Sequence, residues 1–372
     1  MKTILAATTA LTLLAACGSP QPPVVRNAPS QGPDTLRAFD SIGVLSGDSC
    51  YVFGHIMDAA PLPGGGLALL DRITCRVSLF NCNGEFLRSF GRMGEAPGEF
   101  QLPIKFAVLP SGNVVVGELL NGKVTLLDPD GNCISYWSHE GLGGIPLLML
   151  PFDEGSFLSY NFALVMNMMT LQLRFSLRRY DAFTGEVLLE YMSWEGAGRP
   201  ETDFVPAYIS AAANTETGLV YMSRCDAEVW RIMVFDAAGA PVDTLEPFPD
   251  RERLPVDMES GFVPGTWMVS YAYQDETGSS GMQSTNIPEL HPFISDLGVD
   301  ASGNIWARRG GVEQDMWDVL SPDGVWLREV VIEAFPPESM PRVVMGPGGF
   351  IAFELNPEDV CRVLLLRGQN DL

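Results

Sequence analysis

The chain has 372 residues, 46% hydrophobic and only 19% charged, so it can bury a substantial core as one large repeat domain or two ordinary ones. Its formal net charge of −23 at pH 7 would repel phosphate backbones, which argues against nucleic acid as a partner. The same charge disfavours docking on an anionic membrane through a basic patch and leaves a well-solvated surface.

Residues 1–16 read as a targeting segment outside the fold. Lys2 makes a short basic start, and the apolar run from Ile4 to Ala16 is too short to span a bilayer. The run ends in Leu14-Ala15-Ala16-Cys17, followed by Gly18 and Ser19. This resembles a bacterial lipoprotein signal, in which small residues precede a cysteine whose thiol receives diacylglycerol. The resemblance implies cleavage before Cys17 and lipidation of that residue. Two or more acyl chains hold a protein stably at a membrane where one does not. Residues 17–34 then form a lipidated tether, semi-rigid through its prolines (PQPPVVRNAPSQGP, 20–33).

Six further cysteines follow: Cys50, Cys75, Cys82, Cys133, Cys225 and Cys361. An even number in an exported protein permits disulfides, and scattered buried thiols are the equal alternative. Cys75 and Cys82 cannot pair within one extended strand, because seven residues there span roughly 23 Å against a Cα limit of about 7 Å. No Cys-x-x-Cys is present, so neither a zinc knuckle nor a thioredoxin site is indicated.

From Pro61 onward the chain repeats. PLPGGGLALLDRITCRVSLFNCNGEFLRSF (61–90) and VLPSGNVVVGELLNGKVTLLDPDGNCISYW (108–137) share a Pro-x-Gly start, a strand and an acidic residue (Asp71, Glu118). A basic residue and Val come next (Arg76-Val77, Lys123-Val124), then a strand, an Asn/Asp-Gly turn and another strand. The offset is 47 residues, carrying Gly65 onto Gly112 and Gly84 onto Gly131. Each unit predicts strand, turn, strand, turn, strand. Later copies drift: the second turn recurs at Gly185, Gly239 and Gly324, and the first at Gly303. The last copy, 345–368, stops before its final strand. Residues 36–39 and 87–90 share Leu-Arg-x-Phe, so the N-terminal segment Thr35–Gly43 is predicted to supply that missing outer strand and close a ring.

GRMGEAPGEFQLP (91–103), LPSGNVVVGE, GKVTLLDPDG and PELHPFISDLGVDASGNIWARR (288–309) together resemble the NHL-type six-bladed β-propeller, in particular the propeller lipoproteins of bacteria. The resemblance covers roughly Thr35 to Gly368. It implies an all-β fold of six four-stranded antiparallel blades over 35–368, with 369–372 a tail. Blade three departs from the pattern with the long strands of FALVMNMMTLQLRFSLRRYD (162–181). The 85 residues from Gly239 to Gly324 span nearly two periods, so a seventh blade near TWMVSYAYQ (266–274) competes with an insertion over one face. An insertion at 247–292, between blades four and five, is preferred because this stretch lacks both turn signatures.

Few residues point to chemistry. The acidic–basic pairs Asp71/Arg76 and Glu118/Lys123 recur with the repeat, as structural ion pairs would. The three histidines, His55, His139 and His291, fall near the starts of inner strands or in a linker. Three such ligands with an open position would suit a catalytic zinc, though none has an i, i+4 partner. No nucleophile elbow, zinc-protease, phosphate-loop or dinucleotide motif is present. DPDGN (128–132) lacks the later ligands of a calcium loop and reads as a β-turn. Met166, Met168 and Met169 read as gap fillers. The insertion carries Trp267, Tyr271 and Tyr273, which either stack on a sugar or peptide or pack on the ring. The reading is therefore a monomeric, envelope-located protein on a lipid anchor at Cys17. It binds a protein, peptide or glycan through His55, His291, Trp267, Tyr271 and Tyr273, with no cofactor. The alternative is a metal-dependent lyase or hydrolase holding its ion at His55, His139 and His291 in the channel.

Overall fold

Glycine turns set between short apolar runs leave each run too short for a helix and long enough for one strand. The computed structural model of the chain describes residues 33–119, 122–138, 144–167, 170–196, 209–255, 270–274, 280–284, 290–311, 315–334, 341–346, 349–354 and 360–368. Every regular element among them is a β-strand.

Strand β1 (Asp34–Ile42) comes first. The first sheet follows as β2 (Ile56–Pro61), β3 (Leu67–Asp71), β4 (Arg76–Phe80) and β5 (Phe86–Phe90). The second sheet is β6 (Pro103–Val108), β7 (Val114–Glu118), β8 (Lys123–Leu127) and β9 (Cys133–Ser138). The third is β10 (Ile145–Pro151), β11 (Ser156–Asn167), β12 (Thr170–Asp181) and β13 (Val187–Gly196). The fourth is β14 (Ile209–Asn214), β15 (Leu219–Arg224), β16 (Ile232–Phe235) and β17 (Pro241–Leu245). A separate two-stranded sheet, β18 (Ser270–Gln274) with β19 (Ser280–Ser284), stands next. Then come β20 (Ile294–Val299), β21 (Ile305–Arg309), β22 (Asp315–Leu320), β23 (Trp326–Glu333), β24 (Pro341–Gly346), β25 (Gly349–Glu354) and β26 (Val363–Gly368).

The first four sheets are antiparallel and pair in chain order. The last strands share one eight-stranded sheet in the order β20-β21-β22-β23-β1-β26-β25-β24. Within it β1 runs antiparallel to β26, from Leu36↔Gly368 to Ile42↔Val363, as the repeated Leu-Arg-x-Phe predicts. Its other edge pairs in parallel with β23, from Asp34↔Val330 to Arg37↔Glu333, which nothing in the sequence announces. The arrangement is propeller-like. The first strands β2, β6, β10, β14, β20 and β24 touch in succession, and β24 touches β2.

The core lies between consecutive strand sets. One cluster joins Leu70, Val77 and Leu79 to Phe106, Val108 and Val116; another joins Phe157 and Tyr180 to Val115, Val124 and Leu126. The cluster where the chain meets itself holds Ile42, Phe353, Val363 and Leu365 from its ends against Ile56, Leu67, Leu69 and Phe80. A fully buried Phe or Leu stabilises by about 1.5–3 kcal/mol, so this seam is a large term.

The second-turn glycines do more than bend the chain. A Cβ on Gly131 would fall 2.4 Å from Phe90 Cβ, one on Gly185 2.4 Å from the Trp137 ring, and one on Gly324 2.6 Å from Leu245. Each turn thus rests on an outer-strand side chain of the sheet before it, and Gly84 rests in the same way on Ile42 of β1. One expected ion pair takes another form. Asp71 faces Arg76 in register, but its carboxylate accepts the backbone N–H groups of Gly54, His55, Ile73 and Thr74. Arg76 donates instead to the carbonyls of Ser49 and Val52. Glu118 and Lys123 do pair, at 3.3 Å. The six described cysteines are free thiols.

Gly131 has a φ of 89° as well as no room for a side chain. Gly131→Ala is therefore expected to cost about 2–4 kcal/mol from backbone strain plus overpacking, measured as a lower urea midpoint with unchanged slope.

Candidate functional site

The first strands bring one residue each to a common level at the centre. Each inner hairpin is closed by a residue equivalent to Leu62: Leu109, Phe152, Asn214, Asp300 and Gly346. Four residues before these stand Asp58, Lys105, Leu148, Ser210, Asp296 and Arg342. In β2, β6, β10 and β20 the register slips just before that residue, a β-bulge that re-aims its side chain. In strand order the ring reads acid, base, apolar, hydroxyl, acid, base.

Asp58 and Lys105 are each only 2% exposed. The Asp58 carboxylate lies 3.7 Å from Lys105 Nζ and 3.4 Å from Arg342 Nε. Burial, and then the positive charge of Arg342, push the Lys105 ammonium down to about 8. Asp296 is ringed by protein yet half-buried by exposed surface, so it keeps contact with the central space. Burial raises its carboxyl above the ordinary range, opposed by Arg342 and Arg308. Behind it Arg308 pairs with Asp315 at 2.8 Å, and Asp315 also accepts the Trp317 indole N–H at 2.9 Å. Chemically the ring offers paired charges of both signs in a low-dielectric setting, where each is costly unless matched.

The histidines predicted from sequence meet different surroundings. His55 precedes β2 beside Arg72 and Asp71, and burial together with Arg72 lowers its pKa. His291 is 7% exposed and sits three residues before β20. Phe53 and Phe100 hold that position before β2 and β6, also buried, so His291 takes the place of an apolar wedge. Its ring lies against Gly311, where a Cβ would come within 2.5 Å, and Nδ1 has no partner among the described residues. Arg253 donates to the carbonyls of His291 and Leu290 at 2.7 and 2.8 Å. No three His, Cys, Asp or Glu among the described residues form a metal-binding group. His139, Trp267 and Cys17 lie outside the described residues. Tyr271 and Tyr273 are placed by backbone alone, in β18 opposite Gln283 and Gly281.

The crossing at 91–103 is tied down by its own acids. Arg92 Nε donates to Glu99 at 2.7 Å, the Ala96 N–H donates to the same carboxylate at 3.0 Å, and Gln101 donates to Glu95. Phe100 from this loop is wholly buried. Sequence reading passed over the charged ring, although a signal exists. Asp58, Lys105, Leu148, Asp296 and Arg342 each stand seven residues before a first-turn glycine.

No protein-family model matches the chain, and no curated protein sequence matches it. Among solved structures, a putative exported protein of Bacteroides fragilis is 13% identical, with a TM-score of 0.49 over 89% of this chain and 95% of its own. A DUF4221 family member from Bacteroides vulgatus is 12% identical, with a TM-score of 0.48 over 91% and 99%. A gluconolactonase from Xanthomonas campestris is 13% identical, with a TM-score of 0.45 over 92% and 99%. Likeness at this level says nothing of what this chain binds.

Two outcomes test the site's physics. Asp58→Asn removes the carboxylate that pairs with the buried Lys105 and the partly exposed Arg342, and should cost about 3–5 kcal/mol in chemical denaturation. For His291, burial and then Arg253 hold the imidazole below its ordinary value. The unfolded chain takes up a proton near pH 6.5, about the free value, that the folded chain takes up only at lower pH. Stability from His291 is thus complete above that pH and is lost as pH falls through the folded-state value. His291→Phe, which restores the wedge of Phe53 and Phe100, should flatten the wild-type decline in unfolding free energy between pH 6.5 and its folded pKa; an unchanged slope would refute the assignment.

Proposed function

We propose that the chain is a six-bladed β-propeller of the NHL-type lipoprotein kind, held at a bacterial envelope membrane through Cys17. On this reading it acts as a monomeric binding module for a protein, peptide or glycan. The observation that carries the binding role is the β18–β19 hairpin, which among the described residues pairs with none of the larger sheets. A ribbon that adds nothing to a blade, between β17 and β20, is a segment available for recognition. The count of six is supported by the split of the eight-stranded sheet into β20–β23 and β24–β26 with β1, and by the closed succession of contacts among the first strands. The anchor is supported by Leu14-Ala15-Ala16-Cys17 and the proline-rich stretch after it.

In a bacterial host, Cys17→Ser should move the protein from the membrane to the soluble fraction; equal fractionation of the two would remove the anchor from the proposal. The released protein, applied to peptide and glycan arrays, should bind a subset of spots. Combined Trp267→Ala, Tyr271→Ala and Tyr273→Ala should weaken that binding about tenfold or more without lowering thermal stability. Binding indifferent to all three changes would place recognition elsewhere.

A further inference from the structure

The strand that joins the two ends of the chain leaves a cleft at the seam. Sequence repetition sets Phe39 against Phe90, whose Cβ lies under Gly131 of the next sheet. In β1 that seat is taken by Ile42, under Gly84. Phe39 is instead the bulged residue between Ala38↔Leu366 and Asp40↔Leu365, and it is left 43% exposed. Beside it lies a cleft of about 350 Å³, counting the part open to solvent. Pro61 and Leu67 line it from the first sheet, Phe350 and Ile351 from β25, and Leu365 and Leu366 from β26. Phe350 is in register with Leu366, whose other partner is Ala38, so Phe350 and the bulge at Phe39 stand at one level. A Cβ built on Gly349, which also lines the cleft, would meet only the Leu366 carbonyl oxygen among the described residues, at 4.0 Å. This wall therefore faces open space. Cys82, the exposed thiol among the six described cysteines, stands on the same cleft.

Arg367 follows Leu366 in β26 and holds its guanidinium 4.0 Å from the centre of the Phe39 ring. Its side chain forms no ion pair and donates no hydrogen bond among the described residues. Contact with a ring face uses none of its N–H donors in a hydrogen bond, so the fork that fits a planar carboxylate is free. We propose that this cleft binds a small aromatic carboxylate, its ring among the apolar side chains and its carboxylate on Arg367. Two of the lining side chains are phenyl rings, and a flat ring gains edge or offset contacts with them beyond the area it buries. An aliphatic acid lacks those contacts, and a neutral aromatic leaves Arg367 without a counter-charge. One guanidinium matches one carboxylate, and the net charge of −23 works against a polyanion. The cleft shares no residue with 247–292 or with the central ring, and it does not rest on the surface reading above.

Calorimetric titration of the full-length Cys17→Ser chain, which has no acyl acceptor at that position and so needs no detergent, tests this with benzoate, phenylacetate and 3-phenylpropionate. Propionate and benzyl alcohol are the controls for charge alone and ring alone. At least one aromatic acid should bind about fivefold or more tighter than either control, and Arg367→Gln should remove its advantage over benzyl alcohol. Arg367 is exposed, so the fold survives that change. Saturating ligand should also slow iodoacetamide alkylation of Cys82 about fivefold or more, read by mass spectrometry of its peptide, while Cys50 and Cys361 react as before. The proposal is overturned if none of the three acids binds, if benzyl alcohol binds as tightly, or if Arg367→Gln leaves the affinity unchanged. Alkylation of Cys82 at the unliganded rate would overturn it equally, and is what a ligand held at 247–292 would give.

Discussion

The pairing of β1 with β26 is the contact on which the other packing depends. The inner strands of the four-stranded sheets and of the eight-stranded sheet are buried on both faces, so these sheets pack against neighbours on either side, and the first and last sets must find one another. Ile42 is the joint. It sits in register with Val363, belongs to the cluster that holds Phe80 and Phe353, and lies under Gly84. Take β1 away and β26 gains a free edge, the seam cluster loses Ile42, and the turn at Gly84 loses its seat.

The same logic runs around the molecule in small steps. A second-turn glycine rests on the outer strand of the sheet before it, so each turn is seated across a sheet boundary. Local chain conformation and long-range packing are thereby decided at one residue. The glycine must be glycine for its φ and again for its neighbour, so the two demands reinforce each other.

What could be read in the sequence follows from this. Turns such as those at Gly65, Gly131 and Gly324 are encoded by neighbouring residues, so they were legible, and from their spacing so were the strands. The outer strand supplied by 34–42 was legible because it kept the Leu-Arg-x-Phe of its counterpart. Its parallel pairing with β23 was not, since no residue type marks which edge meets which. Asp71 was misjudged because its partners are backbone N–H groups, which a sequence does not display; four of them suit a buried carboxylate better than one flexible guanidinium. The charged ring was hidden for a different reason. Its members are acids, bases, an apolar residue and a hydroxyl at a shared level, and only position unites them. A search for like residues cannot find a site made of unlike ones.

The double pairing of β1 also has a mechanical side. Rungs to β23 and to β26 grip the strand along both edges, with Arg37–Glu333 and Asp34–Arg328 bridging across to β23. A pull on the chain ahead of Asp34, directed along the strand, loads these rungs together in shear. A strand held by one edge and drawn sideways would part rung by rung, like a zip. Tension delivered from the N-terminal side would therefore meet the ring at a reinforced point.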